Sequence, residues 1–77
     1  MQNLFDLEKG QKCIVNKVST KSELYRRLLD IGVIPDTLIE CVATSPQGDP
    51  KAFLIRGAVI ALRKTDCQGI SIKELVE

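Results

Sequence analysis

Cys13, Cys41 and Cys67 are the side chains best suited to chemistry, since a thiolate is both a nucleophile and a soft metal ligand. Their placement favours neither use. No Cys-x-x-Cys occurs, the three stand far apart in the chain, and His is absent. A first-row metal site wants imidazole or carboxylate beside the sulfur, and the thiols could meet only if three strands converged. Free cysteine is among the most buried residue types, so core packing is the expectation. Asp36, Asp49 and Asp66 fall in turn sequences, where carboxylates ordinarily bond the local backbone. Catalysis lacks a His base and an activating partner for any thiol. Gly10, Gly32, Gly48, Gly57 and Gly69 each mark an element boundary and build no phosphate cradle. The expectation is a protein that is not an enzyme and has no resident cofactor or metal.

Other binding modes are bounded by composition. The 77 residues are expected to form one domain, 1–77, near the lower size limit for folding on a hydrophobic core. With Phe5, Tyr25, Phe53 and no Trp, that core must be aliphatic. Three aromatics are also too few for the groove that grips proline-rich peptide. A net charge of +1 gives no general reason for nucleic acid or anionic membrane as partner. The charge is uneven, though. Residues 31–50 carry Asp36, Glu40 and Asp49 without a base, and 51–64 carry Lys51, Arg56, Arg63 and Lys64 without an acid. That is either a solvated rim or a surface that steers a charged partner. An odd cysteine count without a signal peptide points to a reducing cytoplasm. No apolar run approaches the roughly 18–20 residues that span a bilayer, so direct membrane insertion is not expected.

The elements are organised around Ser45 to Lys64. Pro46, Gly48 and Pro50 exclude regular structure, and two apolar runs follow around Arg56-Gly57. Such a pattern predicts a β-hairpin with Ile55/Ala58, Leu54/Val59, Phe53/Ile60, Ala52/Ala61 and Lys51/Leu62 opposed. One face then holds Phe53, Ile55, Ala58, Ile60 and Leu62; the other holds Ala52, Leu54, Val59 and Ala61. A hairpin apolar on both sides either lies between two layers or shows one side to a partner. On the second alternative Leu54, Val59 and Ala61 are candidate partner-binding residues, bordered by Arg56 and Arg63.

Around this hairpin, Leu4, Phe5 and Leu7 are expected to seal one end of the fold. Gln11 to Val18 predicts a first strand, apolar on both faces. Thr20 to Glu23 fits a capping box that opens a helix of about ten residues striped by Leu24, Leu28 and Ile31. Gly32 is placed to end it in the left-handed region, folding Val33 back toward Leu28, and Pro35 prevents resumption. Thr37 to Thr44 predicts a strand with Ile39, Cys41 and Ala43 toward the core. Lys64 to Gly69 suits a single tight turn rather than a helix, and Ile70 and Ile72 alternate in a last short strand. The result is all-β: a small bent barrel of five strands with one short α-helix after the first, closed to avoid exposed edges.

Leu28-Leu29-x-x-Gly32-x-x-Pro35, Ser45-Pro46-x-Gly48-Asp49-Pro50, Leu62-Arg63-Lys64 and a final Ile70-x-Ile72 together resemble the ferrous-iron transport protein A (FeoA) family. The resemblance runs from Gln11 to Val76. One departure is Asp36, where the family usually has Gly; Asp tolerates the left-handed region, so the turn should be kept. The resemblance implies an SH3-like barrel in which Gly32, Pro35, Pro46, Gly48, Asp49 and Pro50 are structural, beside Gly57, which the hairpin turn itself makes structural. It further implies a cytoplasmic accessory protein that docks on a membrane ferrous-iron permease with a GTP-binding domain and modulates it. Weak self-association is a second expectation for the same face. The alternative is a sensor domain that binds iron or another transition metal through its thiolates. The barrel also resembles the C-terminal domain of iron-dependent repressors, whose helix-turn-helix has no room here.

Overall fold

Arg56 and Gly57 have φ of +50° and +87°, so both central residues of the turn are left-handed. That is the signature of a type I′ turn, whose twist matches the strands it joins. The strands are β3 (Lys51–Ile55) and β4 (Ala58–Leu62), opposed in the register that the turn predicts. In the computed structural model, which describes residues 3–76, they belong to one antiparallel sheet. Its other members are β1 (Lys12–Val18), β2 (Leu38–Thr44) and β5 (Ile70–Val76), in the order β4-β3-β2-β1-β5. The fold is the expected small SH3-like all-β one, but the sheet does not close. Among the described residues β4 and β5 form opposite edges with no pairing between them. A 3-10 turn, Leu4–Asp6, touches β5 and the short helix before it, and Asn3 bridges to Ser71. Leu4 and Leu7 are fully buried, as expected of a seal.

The core is aliphatic apart from Phe53 and the thiols. Phe53, Ile55 and Leu62 of the hairpin meet Ile39 and Cys41 of β2, Cys13 and Val15 of β1, and Ile70 and Ile72 of β5. β1 reads as apolar on both faces because it is bulged. Its pairing with β5 slips between Ile14 and Val15 and again before Lys17, so Cys13, Val15 and Val18 all turn inward.

Helix α1 spans Tyr25–Asp30 and is shorter than its apolar stripe. The Thr20 capping box is not formed. Ser19 and Ser22 instead accept the amides of Lys21 and Leu24, and these local bonds hold the segment in turns. The C-terminus is as expected: Val33 N–H donates to Leu28 and Gly32 N–H to Leu29, a Schellman motif with Gly32 at φ +99°. Asp36 keeps the next turn at φ +72°, and its amide donates to Val15. Lys64–Cys67 forms one helical turn, α2, in place of the expected tight turn. Arg63 N–H donates to Asp66 and Lys64 N–H to Asp49, so carboxylates satisfy donors that so short a run would leave open.

A Cβ on Gly32 would run into the Arg56 stem, which can swing aside, whereas the φ of +99° cannot be relieved. Gly32→Val should therefore cost about 1–2 kcal/mol or more in urea unfolding, and an unchanged midpoint would contradict the helix end. Lys51 donates from Nζ to the carbonyls of Phe5 and Leu7, both at 2.7 Å, with the Phe5 ring 4.7 Å away. Lys51→Met removes both bonds and should lower stability by about 1–2 kcal/mol, with amide exchange rising first in the 3-10 turn.

Candidate functional site

The outward face of the hairpin is built by strand alternation. With Phe53 and Ile55 inward, Ala52 and Leu54 must point out, and their partners Ala61 and Val59 with them. Val59 is 64 % exposed, Ala61 is exposed, and Ala52 and Leu54 are half-buried. The helix and the N-terminal segment leave Val59 uncovered. On β2, Glu40 lies opposite Leu54, and Leu38 stands two residues away on the same face at 50 % exposure. Leu38 in turn opposes Ile14 of β1. The apolar surface therefore runs diagonally from Val59 through Leu54 to Leu38 and Ile14, with Glu40 beside it. Leu38 and Ile14 were not singled out from the sequence. Their signal was present in the parity of Ile39 and Cys41, which puts Leu38 outside.

The basic residues divide between structural and exposed positions. Lys51 is held on the Phe5 and Leu7 carbonyls. The Arg56 stem crosses Gly32, joining the hairpin tip to the end of α1. Arg63 and Lys64 are exposed at the far end of β4. Asp36 pairs with Lys73, Asp49 with the α2 backbone and Asp66 with the Arg63 amide, so the three turn aspartates have structural partners. Pro46 and Gly48 shape the β2–β3 loop, where Gly48 N–H donates to Ser45 and Ser45 N–H to Pro50. Pro35 lies in the turn that Asp36 completes.

Next to the free edge of β4 lies a cleft of ≈ 500 Å³ lined by Leu29 to Gly32, including the Asp30 carboxylate, and by Ile55, Arg56, Ala58 and Ile60. The cysteines occupy the interior instead. All three are fully buried, and among the described residues no cluster of three or more His, Cys, Asp or Glu could hold a metal. Burial pushes the Cys13 thiol up to about 11. It pushes Cys67 up to about 12, with Asp66 and Asp49 adding to the effect. Cys41 is also raised by burial, partly offset by the Lys51 ammonium. Such thiols are poor nucleophiles and poor ligands at neutral pH.

The folded chain keeps these protons at a pH where the unfolded chain, with thiols near 9.0, releases them. The thiols' contribution to stability is thus complete below pH 9.0 and is lost as pH rises toward about 11 and 12. Urea midpoints should fall above pH 9, and in a Cys13→Ala/Cys67→Ala variant they should fall less. Equal slopes would mean that the thiols do not titrate with unfolding.

The FeoA domain family model matches residues 2–74. The solved FeoA-like protein of Clostridium acetobutylicum is 31% identical, with a TM-score of 0.87 over 97% of this chain and 87% of that one. FeoA of Stenotrophomonas maltophilia, solved with zinc and described as a procaryotic SH3 domain protein, is 21% identical with a TM-score of 0.82 over 95% and 91%. A manganese-dependent transcriptional repressor, solved with manganese, shares the fold at 20% identity and a TM-score of 0.81, over 94% of this chain and 35% of that one. A search of the curated proteins finds no match.

Proposed function

Since the chain belongs to the FeoA domain family, an accessory SH3-like family of ferrous-iron transport, we propose that it docks on the cytoplasmic part of a GTP-binding iron permease and modulates it. The contact is the outward face of the hairpin. The observation that carries this reading is the exposure of Val59, 64 %, at the head of an apolar diagonal with Leu54 and Leu38. An uncovered aliphatic row with a charged side chain, Glu40, beside it has the make-up of a docking surface. No described helix is long and apolar enough to cross a membrane. Binding, not catalysis, is the activity, and the chain works in the cytoplasm. The burial and raised pKa of all three thiols favour this adaptor over a thiolate metal sensor.

Val59→Asp tests the reading. On this exposed position the change should leave unfolding within about 0.5–1 kcal/mol of wild type. Binding to the purified soluble domain of the permease, followed by titration calorimetry, should weaken by about tenfold or more. A folded variant that binds as wild type does would remove the face from the contact.

A further inference from the structure

The two edges of the sheet differ. β5 carries Lys73, which pairs with Asp36, and Asn3 bridges to Ser71. β4 reads Ala58-Val59-Ile60-Ala61-Leu62, with neither charge nor proline, and β3 is its neighbour on one side only. Edges of that composition are ordinarily blunted, because they template pairing with another strand. The turn decides which groups are free. Opposed residues in an antiparallel pair alternate between exchanging hydrogen bonds and not, and the pair flanking a two-residue turn exchanges them. Ile55/Ala58, Phe53/Ile60 and Lys51/Leu62 are then the bonded pairs of the register. The N–H and C=O groups of Val59 and Ala61 point away from β3, along the free edge.

A second observation lies beside that edge. The cleft between the end of α1 and β4 is walled by Leu29, Asp30 and Ile31 on one side and Ile55, Ala58 and Ile60 on the other, with Arg56 at the hairpin tip, so the side chains that enter it must be apolar and the acid must lie outside it. A strand laid along β4 would send alternate side chains to opposite faces. One set would enter this cleft, and the other would lie over Val59 and Ala61. Backbone pairing with a pocket for alternate side chains is the general mode of strand addition.

We infer that the β4 edge accepts an extended peptide segment of a partner, apolar at alternate positions and acidic at its ends. The acidic flanks follow from charge. β4 is bounded by Arg56 at one end and by Arg63 and Lys64 at the other. A second copy of β4 paired antiparallel about Ile60 would set Arg56 against the other copy's Lys64 at both ends, so the edge disfavours itself and favours acid. The inference deepens the docking proposal by naming the binding mode, and it rests on that reading only for where the segment comes from.

The decisive variant is Ala61→Pro. Proline on an edge strand with its nitrogen facing outward removes a free donor and no ladder bond, so the fold should survive, as far-UV dichroism and the urea midpoint will show. The probe is a short synthetic peptide of alternating Val and Thr with Asp at both ends, titrated into the full chain by NMR. It should shift the Val59 and Ala61 amides and the Ile31 and Ile60 methyls. Ala61→Pro should weaken it by about tenfold, and replacing its terminal Asp by Lys should do the same. Wild-type affinity in Ala61→Pro would overturn the inference, as would indifference to the terminal charge. So would dimerisation of the wild-type chain that Ala61→Pro abolishes, which would give the edge to a second copy. If Ala61→Pro unfolds, Ala61 N-methylation in a semisynthetic chain deletes the same donor and reads the same outcomes. The permease domain is assayed in parallel. If it binds wild type and Ala61→Pro alike, strand addition fails and the adaptor reading stands. If the peptide binds through the edge and the permease domain does not, strand addition stands and that partner is wrong.

Discussion

Everything in this fold depends on the register of one hairpin. Side chains alternate with a period of two, so a slip of one residue would expose Phe53 and Ile55 and bury Leu54 and Val59. What holds the register is the pair of left-handed residues at its tip. Gly57 adopts its conformation freely; Arg56, at φ +50°, does so at a cost and is offset by laying its stem across Gly32. The contact runs both ways. Gly32 leaves room for Arg56 because it lacks a Cβ, and it lacks one because it terminates α1. Helix end, turn and sheet register are thus one interlocked feature.

The proposed docking surface is a consequence of that register. Small domains have little interior, and here Phe53, Ile55 and Leu62 fill what there is on the inner side. The apolar residues left over on β3, β4 and β2 have only solvent or a partner to meet. Lys51 shows how the same hairpin spends its charges on structure: its ammonium organises the N-terminal turn instead of the surface. Arg63 and Lys64 remain outside, beside an edge strand that carries no charge of its own.

Much of this was legible in the residues. Two apolar runs around a Gly-containing dipeptide imply one register, and Gly32 before Pro35 implies one kind of helix end. The left-handed Asp36 was legible too, because Asp and Asn are among the few residues that tolerate it. Three things were not. The start of α1 was hidden because Ser19 and Ser22 take the Lys21 and Leu24 amides into local turns, an alternative to the Thr20–Glu23 cap that the sequence offers equally. The open sheet is not legible because closure depends on strand lengths and bulges, and the bulges in β1 leave no periodic trace. The turn of α2 needed Asp49, distant in sequence, to satisfy the Lys64 amide. Of the surface, Val59 and Leu54 were visible in the hairpin alone, while Leu38 and Ile14 join them only once β2 and β1 are laid alongside.

Amide exchange of the chain with and without the soluble permease domain tests the central claim most directly. In the free chain the Val59 and Ala61 amides should exchange rapidly, while those of Phe53 and Ile60, inside the ladder, should be protected. On binding, protection should appear at Val59 and Ala61 and spread to the Leu29–Gly32 wall of the cleft. A bound complex in which those two amides still exchange freely, with protection confined to the Ser19–Leu24 segment and α2, would contradict it.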